Sequence, residues 1–121
     1  MKIYKHKQFH QWLKDELLTD NDLKNAIAEI ENGLHDGDLG AGLFKKRIAM
    51  QGQGKRGSYR TLLAFKSGQK GFFIYGFSKN VKANINRKEK TVYKKLAKIL
   101  LNLDEIILAE MIKNRSLIEV K

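Results

Sequence analysis

The spacing of apolar positions changes twice along the chain. A short strand is expected at residues 2–4, KIY, and Phe9, Trp12, Leu13 and Leu17 then recur at helical spacing, which predicts a first amphipathic helix. Residues 19–22, TDND, offer an N-cap and early acids for a second helix, whose apolar face would be Leu23, Ile27, Ile30 and Leu34. Residues 35–42, HDGDLGAG, read as a loop because glycine and aspartate both favour turns. From Leu43 the period falls to two: LFKKRIAM, SYRTLLAFK and GFFIYGFSK are short, rich in aromatic and branched residues, and separated by glycines. They predict an antiparallel meander. Asn86 with Glu89 three residues on is a capping box that opens a third helix, with Val92, Leu96, Ile99, Leu100 and Leu103 as its apolar face. Asn102 with Glu105 repeats the signature and predicts a fourth helix or a kink, and SLIEV near the C-terminus could be a last strand. The expectation is a small α+β domain, with N-terminal helices on one face of a three- to four-stranded antiparallel sheet and C-terminal helix or helices after it.

Strand parity divides the meander into two faces. Phe44, Ile48 and Met50, with Tyr59, Leu63 and Phe65 and with Phe72, Ile74 and Gly76, make one face nearly all apolar. The opposite parity gathers Lys45, Arg47, Arg60 and Lys79 with Phe73, Tyr75 and Phe77. Cations beside exposed rings suit single-stranded RNA, which is held by phosphate contacts and base stacking. A bulge near the glycines would shift the register and exchange these faces.

Charge sharpens this picture. The 121 residues carry a formal net charge of +11. Residues 1–40 hold 5 Lys/Arg and 8 Asp/Glu, residues 41–101 hold 16 and 1, and residues 102–121 hold 3 and 4. A block of +15 in the middle is a field that recruits polyanions, with nucleic acid first among them. One domain is expected over 1–121. Cysteine is absent, which excludes disulfides and thiolate metal sites and makes a reduced cytoplasm the natural setting. The longest uncharged run is residues 71–78, too short for a membrane span of about 20 apolar residues. The N-terminus lacks the apolar segment and cleavage site of a signal peptide.

The densest knot of glycine and cation is QGQGKRGSYR, residues 51–60. A phosphate-binding P-loop needs G-x-x-x-x-G-K-[ST] between a strand and a helix; here no Ser or Thr follows Lys55, and a strand follows the glycines. A basic hairpin lying close to a phosphate backbone fits better. His6 and His10 stand at i, i+4 with no third ligand nearby in sequence, so no metal or other cofactor is expected. Lys88, Lys90, Lys94, Lys95 and Lys98 read as the wet face of the third helix, His35 as a loop residue, and Tyr4, Tyr59 and Tyr93 as packing groups.

GLFKKRIAMQGQGKRGSYR followed by FFIYGFSKN resembles the RelE/ParE superfamily of toxin–antitoxin toxins, most closely its HigB-like, ribosome-dependent mRNA interferases. The matching pattern is Leu43, Arg47, Ala49, Gly52-x-Gly54-Lys55-Arg56-Gly57, Arg60 and Phe77-Ser78-Lys79-Asn80. The order of elements agrees over about residues 2–101, and residues 102–121 extend past the core fold as a C-terminal extension. Where family members often carry tyrosine this chain has Phe77, which cannot transfer a proton through its side chain.

The resemblance implies an RNA endonuclease, independent of metal, that cleaves mRNA in the ribosomal A site by attack of a 2′-OH on the adjacent phosphate. It implies as partners the ribosome, mRNA and a cognate antitoxin, a small helix-turn-helix DNA-binding protein, and no membrane. Lys55 or Lys79 would act as acid and base, with Arg60 and Arg47 on the scissile phosphate and Arg56 on the neighbouring backbone. Tyr75 and Phe77 would stack a base, and Lys45, Asn80 and Lys82 would complete the RNA contacts. Two other readings stay open, a ParE-like toxin acting on DNA gyrase and a nonenzymatic nucleic-acid-binding module.

Overall fold

The computed structural model describes residues 1–49, 58–78 and 81–121. Among these the order is β1 (Lys2–His6), α1 (Lys7–Leu13), α2 (Asp20–Glu31), β2 (Gly37–Gly40), β3 (Leu43–Ala49), β4 (Ser58–Lys66), β5 (Lys70–Ser78), α3 (Arg87–Leu101), α4 (Glu105–Lys113) and β6 (Leu117–Glu119). The class is α+β, as expected, but the sheet is larger than three or four strands and is mixed. Its order is β2-β3-β4-β5-β1-β6. The meander β3-β4-β5 is antiparallel, β1 lies parallel to β5, and β6 closes the far edge antiparallel to β1. These added pairings join residues far apart in sequence, Lys2 with Lys70 and Tyr4 with Glu119, and no local pattern encodes such partners. Residues 102–121 supply α4 and β6, and their Leu108 and Leu117 are buried in the core.

Both faces of the sheet are covered. Leu63 and Phe65 pack with Phe9, Leu13, Leu23, Ile27 and Ile30 of α1 and α2, whereas Leu62 and Ala64 pack with Ala97 and Leu100 of α3 and Leu108 of α4. Alternation along β4 makes these opposite faces. The expected division into one packed and one open face therefore fails over most of β4 and β5.

The parity of β5 fails for a second reason. Leu62 pairs with Tyr75 but Leu63 pairs with Phe73, so Ile74 is an extra residue, a β-bulge that re-aims the side chains after it. Phe72, Ile74 and Tyr75 all pack on the α3 side, while Gly76 lies under Trp12, where a Cβ would come within 2.2 Å of the indole. The bulge sits in mid-strand; Gly52, Gly54 and Gly57 lie outside the described residues.

Several element ends differ from expectation for local reasons. α1 stops at Leu13, and Leu17 is 57% exposed, its N–H donating to Tyr59 Oη at 2.9 Å. α2 has the capping box of Thr19 and Asp22 and ends in a Schellman turn. Gly33 has φ +83, its N–H donates to Ile30 O, and that of Leu34 to Glu29 O. Leu34 thus leaves the helix face and is exposed. The Gly/Asp-rich stretch contains β2, an edge strand paired with β3. Exposed edge strands are polar and glycine-rich like loops, so composition does not separate the two.

α3 begins at the Asn86–Glu89 capping box. Its buried stripe runs through Tyr93, Leu96, Ala97 and Leu100, leaving Val92 (59%) and Ile99 (60%) exposed. The small Ala97 lets the helix approach the sheet closely, and larger apolar residues mark a stripe rotated away from it. α4 is capped by Asp104, whose Oδ1 accepts from Ile107 N at 2.8 Å; Asn102 instead ends α3.

Candidate nucleic-acid interface

Three rows of residues cross the meander on the α3 side. The first, Leu43–Ala64–Phe72, is fully buried beneath the helices. Next comes Lys45–Leu62–Tyr75, and beyond it Arg47–Arg60–Phe77. The helix cover has thinned by this last row, where Arg47 is exposed and Arg60 half-buried. A cavity of about 180 Å³ opens there, lined by Asp36, Lys45, Arg47, Arg60, Phe77 and Asn84. The structure thus brings Lys45, Arg47, Arg60 and Phe77 into one cleft.

Arg60 is held unusually. Its Nε is buried and has no hydrogen-bond partner among the described residues. A buried N–H left unpaired costs about 1–3 kcal/mol, and an anion entering the cleft would supply the missing acceptor. Lys46 is withdrawn from this role, because its Nζ binds Glu29 Oε1 and Leu34 O, each at 2.9 Å.

An aromatic ladder borders the cleft. Phe77 lies 5.5 Å from Tyr75, and Tyr75 stacks on Tyr93 at 5.1 Å with an interplanar angle of 18°. The bulge at Ile74 is what turns Tyr75 toward α3. Phe77 is only 6% exposed, so its ring is a wall of the cleft more than an open platform. Lys82 stands 5.6 Å above the Tyr75 ring and is ion-paired with Glu89. The hydrogen bond between them raises the Lys82 pKa and lowers that of Glu89, which also accepts the Asn86 N–H. Burial, and then the neighbouring Tyr75, push the Tyr93 hydroxyl above its ordinary value.

Lys55, Arg56, Lys79 and Asn80 lie outside the described residues, as do Gly52, Gly54 and Gly57. The chain leaves and re-enters the described sheet at the pair Ala49–Ser58, one position past Ile48–Tyr59. Sequence reasoning missed Asp36, the carboxylate of the cleft. Its N–H donates to Lys45 O at 2.9 Å and its Oδ2 accepts from Arg47 N at 2.6 Å, so it anchors β3 at the cationic row. The Asp36–Gly37 step carries the turn signal of a loop although β2 begins there. Tyr93 has the sequence context of a packing group, and only its stack on Tyr75 ties it to the cleft. His6 caps α1, its Nδ1 accepting from Gln8 N, and among the described residues no three His, Asp or Glu side chains converge as a metal site would require.

The described structure is thus a mixed α+β sheet, covered on both faces, with a cationic cleft walled by Phe77 at one end of its meander. The sequence profile described as RelE toxin of RelE / RelB toxin-antitoxin system matches residues 1–120, and the chain belongs to this family. The match takes in α4 and β6 of the C-terminal extension. The chain has no significant match among curated protein sequences. As a toxin of a toxin–antitoxin pair it has an antitoxin for a partner. No described helix is long and apolar enough to cross a membrane.

Proposed function

We propose that this toxin is an endoribonuclease that cuts mRNA engaged by the ribosome, and that within its family it stands nearest the HigB-like interferases. The observation that carries the reading is the Arg47–Arg60–Phe77 row, with an Arg60 Nε that is buried and has no hydrogen-bond partner among the described residues. Attack of a 2′-oxygen on the adjacent phosphorus gathers charge on the equatorial oxygens, and preorganised donors act most strongly on charge that develops in a desolvated site. Arg60 supplies such a donor, and Arg47 across the ladder a second cation. Proton removal from the 2′-OH and proton delivery to the departing 5′-oxygen fall to Lys55 or Lys79, with Arg56 on the flanking backbone. Asn80 and Lys82 grip the strand, and Tyr75 takes a base once Lys82 moves off its ring.

No histidine lines the cleft among its described walls, and a lysine is a poor base near neutral pH. Orientation of the mRNA by the ribosome lowers the demand on such a site. The antitoxin we expect is a small helix-turn-helix protein with an acidic or amphipathic segment that meets the basic block.

The test is to map mRNA 5′ ends after brief induction in cells, beside a folded Arg60→Ala variant. New ends within translated codons, absent from the variant, are the expected result. Double-strand DNA breaks without new mRNA ends would instead assign the toxin to gyrase. With purified ribosomes, cleavage should persist in EDTA concentrations that leave ribosomes intact.

A further inference from the structure

A second cationic hollow lies far from the cleft. It is lined by Lys7, His10 and Lys14 of the α1 segment and by Asn114 and Arg115 of the turn between α4 and β6, and its volume is about 310 Å³. β6 is the sheet edge opposite β2, with β5 and β1 between it and β4. α1 packs on the face away from α3. The hollow therefore shares neither strand nor face with Arg60.

Its charge is not an overflow of the basic block. Residues 1–40 and 102–121 are both net acidic, with 8 acids against 5 bases and 4 against 3, yet no carboxylate lines this hollow. Acids elsewhere in these segments hold other cations: Asp20 takes Lys5 and Glu119 takes Lys2. Lys7, Lys14 and Arg115 have no ion pair or side-chain hydrogen bond among the described residues.

Two local features mark the hollow. Arg115 has φ +65, a left-handed conformation that strains any side-chain-bearing residue and that glycine would relieve. The turn is held there by Arg115 N donating to Ile112 O and Ser116 N to Asn114 Oδ1. His10 Nδ1 is buried without a hydrogen-bond partner among the described residues. Burial lowers the His10 pKa, and the charges of Lys5, Lys14 and Arg115 lower it further against the opposing pull of Asp20, which reports a positive potential in the hollow.

We propose that this hollow is a second anion site, holding one phosphate of an RNA backbone on the side of the protein away from the cleft. Beyond the His10 imidazole no ring lines it, so a free nucleotide would leave its base unheld, whereas a phosphate within a polymer needs no base pocket. The choice of RNA as the source rests on the function proposed above; the affinity for phosphate does not.

The test has two arms. Inorganic phosphate titrated at constant ionic strength against chloride should give saturable NMR shifts at the His10 imidazole. Those shifts should vanish in Arg115→Gly, whose thermal midpoint should rise because the strained turn relaxes. Loss of the response with a gain in stability separates binding from structure. No saturable shift in the parent overturns the site. In the second arm, log K for a short duplex RNA against log salt should lose about 0.9 of slope in Lys14→Gln/Arg115→Gln, the signature of one phosphate contact. An unchanged slope beside a positive first arm overturns RNA as the occupant and assigns free phosphate. Arg60→Ala should keep the His10 response whatever it does to mRNA cleavage, so failure of this site and failure of the proposed function read out separately.

Discussion

Arg47 and Arg60 occupy one register position on adjacent antiparallel strands, two guanidinium side chains directly across the ladder from each other. Like charges so placed repel, and Arg60 adds a buried Nε without a hydrogen-bond partner among the described residues. A sheet built for stability alone would carry a branched or aromatic pair there, so the row is a strained feature that an incoming anion would relieve.

Arg60→Met should therefore raise stability by about 1 kcal/mol, since it removes both the repulsion and the unpaired donor. It should lower the rate of cleavage on saturating ribosomes by about 10² or more while weakening binding far less. A urea midpoint and single-turnover kinetics on the same preparation test both halves. Lysine at this position should restore activity only in part, because a point charge lacks the guanidinium fork.

Trp12 and Gly76 define how α1 seats on β5. Gly76→Ala would drive a methyl into the indole, whose Cζ3 lies 2.2 Å from the ideal Cβ position, and overpacking of this kind costs about 1–3 kcal/mol. The denaturation midpoint should drop, and a second change, Trp12→Leu, should recover part of it. An additive double variant would show that the clash is not the cause.

Lys82 and Glu89 should set an acid limb of stability. The folded-state pKa of Glu89 lies below its ordinary 4.5, so its contribution is complete above that value and lost as pH falls through the lower folded value. The Lys82 pKa is raised from 10.5; its contribution is present below that value and lost as pH climbs through the raised one. The pair thus acts across the neutral range. Between pH about 7 and about 3, Glu89→Gln should lose less stability than the parent, measured by urea midpoints at low salt.

Association with the antitoxin should be steered by the middle block, where residues 41–101 hold 16 cations and one acid. Raising salt from about 50 to about 500 mM shortens the screening length severalfold, and the association rate should fall with it. Stopped-flow mixing measures this, and equal rates at both salts would remove steering from the account.

What could be read in advance follows the range of the interactions involved. The N-cap at Thr19 and the capping box at Asn86 lie within four residues each, and both were legible; that Asp22 completes a capping box with Thr19 was not. So was the meander, whose strands are neighbours in sequence. The parallel pairing of β1 with β5 was not, because its partner lies across most of the chain. Nor was the bulge at Ile74, since GFFIYGFS alternates equally well with or without an extra residue. The cations of the cleft were named from parity on β3 and β4, where the register is unbroken. Asp36 escaped because an exposed edge strand has the composition of a loop.

The junction of β1 with β6 is the pairing most distant in sequence among the described strands, and this bears on the order of assembly. The Lys2–Glu119 ion pair spans 117 residues, whereas β3, β4 and β5 are joined by consecutive pairings. Loop closure delays contacts distant in sequence, so the cationic row can form within a nucleus of neighbouring strands while the β1–β6 edge waits for residues 117–119. Condensation of a nascent chain would thus begin at the strands that carry Arg47 and Arg60, and the hollow around His10 and Arg115 would be completed last.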